Sequence, residues 1–170
     1  MQLLDYNLLL QQANPIFSKI KSEHFFEEFL TENSLAIKQH DNPINLEIDL
    51  PSIFADYKLF RRILDNLLSN AIAHGSKGSP IFIKLYQQDN MQFLDFSNRG
   101  KNIPVEQRSA LFQPFSRGEG VRNDRVTGSG LGLSIVANCA RIMFGKAKMV
   151  DVDYADVCLR VCIPGKETNI

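Results

Sequence analysis

From Glu23 onward the apolar positions fall into regular patterns. Phe25, Phe26, Phe29, Leu30 and Leu35 keep helical spacing, and Ile44, Leu46, Ile48 and Leu50 then alternate with polar residues as a half-buried strand does. Pro51 and Ser52 break that run. Leu59, Phe60, Ile63, Leu64, Leu67, Leu68 and Ala71 predict a long helix over about 56–73, with Asp56 as its N-cap and Gly75 as its stop. Two strands follow, over 80–86 and 91–96, joined by the turn residues Gln88, Asp89 and Asn90. Residues 131–144 read as a second long helix, and 147–152 with 157–163 as a closing hairpin. Helices gathered on one face of a mixed sheet make this an α/β sandwich. Residues before about 20 read as an appendage: Leu3, Leu4, Leu8 and Ile16 form a short amphipathic stripe that Pro15 interrupts.

The anomaly is a polar, glycine-bearing stretch over 97–130, with one apolar island at 110–115. A compact domain seldom keeps more than about 15 structureless residues unless they form a lid or a binding loop. Here 116–129 leads directly into a glycine-rich helix start, so function is to be sought there.

Composition narrows the partners. The 170 residues form a single domain, and 19 Lys and Arg balance 19 Asp and Glu. That balance argues against a general nucleic-acid or anionic-membrane binder and leaves room for one focused phosphate site. Cys139, Cys158 and Cys162 form no CxxC pair, and His24, His40 and His74 have no zinc-like spacing to them, so the thiols read as apolar filler in a reducing cytoplasm. No signal peptide is visible, and Leu8-Leu9-Leu10 is far short of a membrane span.

Two local motifs carry chemistry. Gly128-Ser129-Gly130-Leu131-Gly132-Leu133 is a glycine-rich loop opening a helix, where backbone N–H groups and the helix N-terminus favour a phosphate. It is neither a Walker A loop, for no Lys-Ser/Thr follows, nor a dinucleotide fingerprint, for no strand precedes it. Asn66 and Asn70 stand one turn apart amid an apolar stripe. Their side-chain carbonyls suit Mg²⁺, which completes its shell with water and phosphate oxygens; alternatively both side chains face solvent or cap nearby backbone.

Together these pieces match a family in order and spacing. Asn66-Leu67-Leu68-Ser69-Asn70-Ala71 resembles the asparagine box of sensor histidine kinases, and 98–104 (Asn-Arg-Gly-Lys-Asn-Ile-Pro) their first glycine box. Leu111-Phe112-Gln113-Pro114-Phe115 resembles the phenylalanine box, and 128–133 the second glycine box. The resemblance spans 23–164 and implies the Bergerat-type ATP-binding fold shared with gyrase: a mixed, mostly antiparallel sheet, helices on one face and a mobile ATP lid. It places the catalytic domain at 23–165 with its lid at about 116–129, a tail at 166–170, and a linker or remnant of a dimerisation helix at 1–22.

By resemblance, Asn66 is the Mg²⁺ ligand and Asn70 its neighbour at the phosphates. Asn98 takes the place of the aspartate that accepts a hydrogen bond from the adenine amino group, keeping one acceptor oxygen. Gly100 lets the base approach the backbone, and Asn102, where the family has a further glycine, still tolerates a positive φ. Ile103, Phe115 and His74 join the nucleotide-binding set. Arg117 matches an arginine that reaches the γ-phosphate, and Gly128, Ser129, Gly130, Leu131 and Gly132 lie under the triphosphate. One departure stands out: Ala73 occupies a position where many members carry Lys or Arg, leaving Lys77, Arg122 or Arg125 as substitutes.

Asn66 also stands where hydrolytic relatives place a general-base glutamate. A neutral amide takes no proton from water, and Asp65 lies about 100° around the helix, so slow hydrolysis is expected. The resemblance therefore implies a protein-histidine kinase domain that uses ATP and Mg²⁺ and transfers the γ-phosphoryl to a histidine on a separate, upstream dimerisation domain. A response regulator follows in the phosphorelay, and the intact protein is a homodimer. The expected location is the cytoplasm, or the cytoplasmic portion of an inner-membrane sensor. His40, at the end of the first helix, is not read as the acceptor. The alternatives are a degenerate relative serving as a phosphotransfer scaffold, and a stand-alone serine kinase of the anti-sigma-factor type.

Overall fold

A computed structural model of the chain describes residues 14–113 and 132–165. The first elements are β1 (Phe17–Lys21), α1 (Ser22–Glu32), α2 (Ser34–Gln39), β2 (Ile44–Ile48) and β3 (Ser52–Asp56). The long helix α3 (Tyr57–His74) is followed by β4 (Ile81–Gln88), β5 (Met91–Asn98), the short helix α4 (Val105–Arg108) and a 3₁₀ turn (Ser109–Phe112). Helix α5 (Gly132–Ile142) and strands β6 (Lys146–Val150) and β7 (Val157–Pro164) complete the fold. Five strands form one sheet in the order β2-β4-β5-β7-β6, parallel only between β2 and β4. The α/β sandwich expected from patterning is therefore present, with a mostly antiparallel sheet.

Alternation decides what each sheet face does. Ile81, Ile83 and Leu85 of β4, Leu94 and Phe96 of β5, and Leu159, Val161 and Ile163 of β7 join the helices in one buried core. Phe26, Phe29 and Phe60 are fully buried in it, each contributing about 1.5–3 kcal/mol. The opposite face carries a charge ladder in register, Glu47–Lys84–Asp95–Arg160–Lys148. Its centre is a bidentate pair, with Arg160 Nε and Nη2 donating to the two Asp95 carboxylate oxygens at 2.8 and 2.9 Å.

Asp56 caps α3 by accepting the Leu59 N–H at 3.1 Å, and its other oxygen accepts the Ile16 N–H at 2.8 Å. The cap contributes about 1 kcal/mol. The helix then buries Leu59, Phe60, Ile63, Leu64, Leu67, Leu68 and Ala71, as their spacing requires, and stops at Gly75.

Patterning misses three features. The helix expected over 23–35 is two helices, because Asn33 turns its side-chain amide back to the Phe29 carbonyl at 2.9 Å and competes with the helical bonds. The segment read as broken at Ser52 is strand β3. Phe17–Lys21, within the stretch read as linker, is strand β1, paired antiparallel with β3. Only Ile20 of β1 is buried, so the segment has no apolar alternation to read. Buried Gln92 ties this small sheet to the large one: its amide accepts the Phe54 N–H at 2.7 Å and donates to the carbonyls of Phe54 and Pro164, each at 2.9 Å. The apolar island is folded as well, Leu111 and Phe112 packing against the core.

Candidate functional site

Helix α3 turns its core stripe inward and leaves Asn66 and Asn70 half-buried on its flank. The Asn66 amide donates to the Arg62 carbonyl at 2.8 Å, which leaves its Oδ1 as the group able to accept. That oxygen faces the amino end of α5: a Cβ at Gly132 would lie 3.6 Å from it. A neutral oxygen ligand thus sits beside a helix N-terminus, where unpaired N–H groups and the helix dipole favour an anion. Asp65 is engaged elsewhere, accepting from Arg61 Nε at 3.0 Å and from the Asn33 amide at 3.5 Å. Arg61 in turn reaches Glu32 at 2.9 Å, pinning α1 to α3.

The carboxyl end of α3 meets the segment after β5. Gly75 and Gly100 form an isolated antiparallel bridge, and Ser76 N–H donates to the Arg99 carbonyl at 2.9 Å. Close approach demands glycine at Gly75, where a Cβ would fall 2.3 Å from the Ala71 carbonyl oxygen and 2.8 Å from the Asn98 amide nitrogen. Asn98 is 6 % exposed, and its amide donates to the Arg99 carbonyl at 3.0 Å, so its carbonyl oxygen is the group left to accept. Asn102 and Ile103 follow. Asn102 does not use the left-handed freedom expected of it: the positive-φ non-glycine residues described are Asp41, Asp89 and Phe144.

His74 stands at the junction of the two ends. Its surface is open, yet surrounding protein partly desolvates the imidazole and holds its pKa below the ordinary 6.5. The folded chain therefore favours the neutral ring. The stability this gives is present above about 6.5 and is lost as the pH falls through that value toward the lower folded pKa. A proton NMR titration of the ring is expected to find a midpoint below 6.5; one above it would require a nearby anion. Ala73 beside it is exposed and offers no cation.

Phe115, Arg117, Gly128, Ser129, Gly130, Leu131, Arg122, Arg125 and the lid at 116–129 lie outside the described residues. The structure thus brings Asn66 and Gly132 together at one end of the site, and Asn98, Gly75 and Gly100 at the other. Sequence reasoning missed Arg108, Asp151 and Asp156, which hold the 100–103 segment: Asp156 accepts the Gly100 N–H at 3.1 Å, and Arg108 bonds Asn102, Ile103 and Asp151. A groove of about 430 Å³, lined by Tyr57, Lys58, Arg61, Arg62, Asp65, Asn66 and Ser69, continues from Asn66 toward the start of α3. Cys139, Cys158 and Cys162 are buried, and burial pushes the Cys139 thiol up to about 12, which leaves it chemically inert. Among the described residues no three His, Cys, Asp or Glu side chains gather to hold a metal, and no helix is long and apolar enough to cross a membrane.

The fold defines the chain as an α/β sandwich with a mostly antiparallel sheet. It belongs to the family described as histidine kinase-, DNA gyrase B- and HSP90-like ATPases, whose model matches residues 55–167. Among its relatives are the sensor histidine kinase GlrK of Escherichia coli K12, 31% identical over 168 residues (99% of this chain, 35% of that protein), and the probable sensor kinase SilS of Salmonella typhimurium, 36% identical over 115 residues (68% of this chain, 23% of that protein). The chain thus spans about a third, or less, of the length of these curated relatives. Its fold is similar to that of the Acinetobacter baumannii histidine kinase AdeS (TM-score 0.78, 18% identity, 97% of this chain and 76% of that one). It is also similar to the catalytic domain of histidine kinase ThkA (TM-score 0.74, 23% identity, 88% and 97%). Both curated relatives, GlrK and SilS, are named as sensor kinases.

Proposed function

We propose that the chain binds Mg²⁺-ATP and passes the γ-phosphoryl group to a histidine on a dimerisation domain elsewhere in a longer sensor protein. The observation that carries this reading is the Asn66 oxygen held beside the amino end of α5. The donor set fits a hard cation that completes its shell with phosphate oxygens. When bound, Mg²⁺ neutralises charge developing on the transferred phosphoryl group. Asn66 would hold the ion, and Asn70, one turn on, would face the phosphate chain. Asn98 would accept from the adenine amino group at the far end, against the Gly75–Gly100 bridge.

The nucleotide then lies along α3, base toward Gly75 and triphosphate toward Asn66. Its γ-phosphoryl end opens into the groove along the first turns of α3, where an acceptor can approach. The chain's own residues supply orientation and charge neutralisation, the main contributions in phosphoryl transfer. Asn66 is no general base, and Asp65 is bonded to Arg61, so neither of these two residues takes a proton from water near the γ-phosphate. Slow hydrolysis preserves the phosphoryl group for the histidine.

ThkA has been observed in complex with the response regulator protein TrrA. By likeness, a response regulator receives the group next, from a homodimeric sensor whose catalytic domains face the cytoplasm. In a test, the full-length protein carrying this chain is incubated with γ-labelled ATP and Mg²⁺. Label lost in acid and stable in alkali is expected for phosphohistidine. Acid-stable label would replace this reading with the serine kinase, and absence of label in a folded protein that binds ATP would leave the scaffold.

A further inference from the structure

The segment that would hold the base is irregular. Residues 101–104 belong to no helix or strand, so no ladder of backbone bonds fixes them. A binding segment without such bonds must be ordered either by its ligand or by other parts of the protein, and ordering in advance preserves affinity. The connection between β6 and β7, together with Arg108 of α4, supplies that order from three points.

The first is an anchor. Tyr154 packs edge-on against Phe82 with ring centroids 5.4 Å apart, and the Lys84 ammonium sits 4.7 Å from the centre of its ring, so the connection is fastened to the outer face of the sheet. The second is Asp156, whose Oδ2 accepts the Gly100 N–H at 3.1 Å. On its other side Gly100 is pressed against the end of α3, where a Cβ would lie 3.1 Å from the His74 carbonyl oxygen. The third is Arg108, whose side chain is only 14% exposed. Its Nε donates to the Ile103 carbonyl at 2.9 Å, and one Nη donates to the Asn102 side-chain Oδ1 at 3.2 Å and to Asp151 Oδ1 at 2.8 Å. Asp151 opens the connection and Asp156 closes it, so one end of the loop holds Arg108 against Asn102 and Ile103 while the other holds Gly100.

Building on the nucleotide reading above, we propose that Arg108, Asp151 and Asp156 are positioning residues that preform the base-binding wall of the site. None of the three touches the nucleotide itself. Arg108 acts through Asn102 and Ile103, and Asp156 through the Gly100 backbone. A planar guanidinium bonding in two directions at once is not replaced by an ammonium, so Arg108→Lys counts as a loss.

The test is calorimetric titration of the chain with ADP and with a non-hydrolysable ATP analogue, alongside thermal unfolding of each variant. Arg108→Gln, Arg108→Lys and Asp156→Ala are each expected to weaken both nucleotides by the same factor, about tenfold, with the Mg²⁺ dependence unchanged, because the fault lies at the base end. A fault at the phosphate end, as in Asn70→Ala, hits the triphosphate harder than ADP. Asp151→Asn keeps the shape of a residue whose side chain is 68% exposed and so spares the fold; it is expected to weaken both nucleotides about threefold, while Asp151→Glu restores wild-type affinity. Wild-type binding with Arg108→Gln, Asp156→Ala and Asp151→Asn all within twofold of it overturns the inference and leaves the nucleotide reading standing. A folded wild-type chain that binds neither nucleotide overturns both.

Discussion

Asn66→Ala is expected to weaken binding of a Mg²⁺-bound ATP analogue at least about 30-fold, a loss of about 2 kcal/mol. The size follows from what the side chain does. Its amide is spent on the Arg62 carbonyl, and its oxygen faces the amino end of α5. On the proposed reading, removing it would leave the cation one ligand short beside a triphosphate, and water would replace that ligand without fixing the geometry. With Mg²⁺ chelated, wild type and variant should bind the analogue alike, which separates loss of a metal ligand from general damage to the pocket. The fold should tolerate the change, because Asn66 is only half-buried and alanine has the higher helix propensity, worth up to about 0.7 kcal/mol. Equal affinities for the two proteins in Mg²⁺ would remove Asn66 from the metal site.

Asp95→Ala is expected to lower stability by about 3 kcal/mol, which in a chain of this size means a fall in Tm of about 6–12 °C. Asp95 is 3 % exposed at the centre of the ladder on the outer sheet face. It accepts two bonds from Arg160 and one from the Tyr86 hydroxyl at 3.1 Å. Burial pushes the Tyr86 phenol up to about 12, and the neighbouring Asp95 charge adds to the shift. Removing the carboxylate strands a guanidinium stacked near the Phe93 ring, 5.9 Å from its centre, and a phenol that has lost its acceptor. Denaturant unfolding of Asp95→Ala, Arg160→Ala and the double variant gives the coupling. The double variant should cost clearly less than the sum, since neither member is then left without its partner. Additive losses would show that the two side chains act independently.

How much of this was legible beforehand depends on the kind of residue. Helix α3 announced itself because seven core positions share one face and Asp56 and Gly75 punctuate its ends. The sheet was legible where alternation was long, as in β4, β5 and β7. It was illegible in β1, which holds its place by backbone pairing with β3 and by the Asp56 bond to Ile16 rather than by apolar side chains. The helix break at Asn33 was hidden because a side-chain amide bonded to the backbone leaves no mark on hydrophobic periodicity.

For the site, Asn66 and Asn70 were visible as two asparagines one turn apart amid an apolar stripe, and the glycine-rich run as a helix start. Asn98 needed resemblance to be noticed, since one buried asparagine at a strand end is unremarkable by pattern. Arg108, Asp151 and Asp156 gave no signal: their partners lie 43 and 56 residues away along the chain, and charged residues in loops read as solvated. A cross-chain bracket of this kind is a property of the folded surface.

The central claim is that the flank of α3 carrying Asn66 and Asn70 is a Mg²⁺-dependent nucleotide site. It is tested most directly by calorimetric titration of the wild-type chain and Asn70→Ala with a non-hydrolysable ATP analogue, with and without Mg²⁺. Saturable binding by the wild type is expected to tighten with Mg²⁺ and to be lost in the variant. No heat at millimolar analogue from folded wild-type protein, or equal binding by Asn70→Ala, would contradict it.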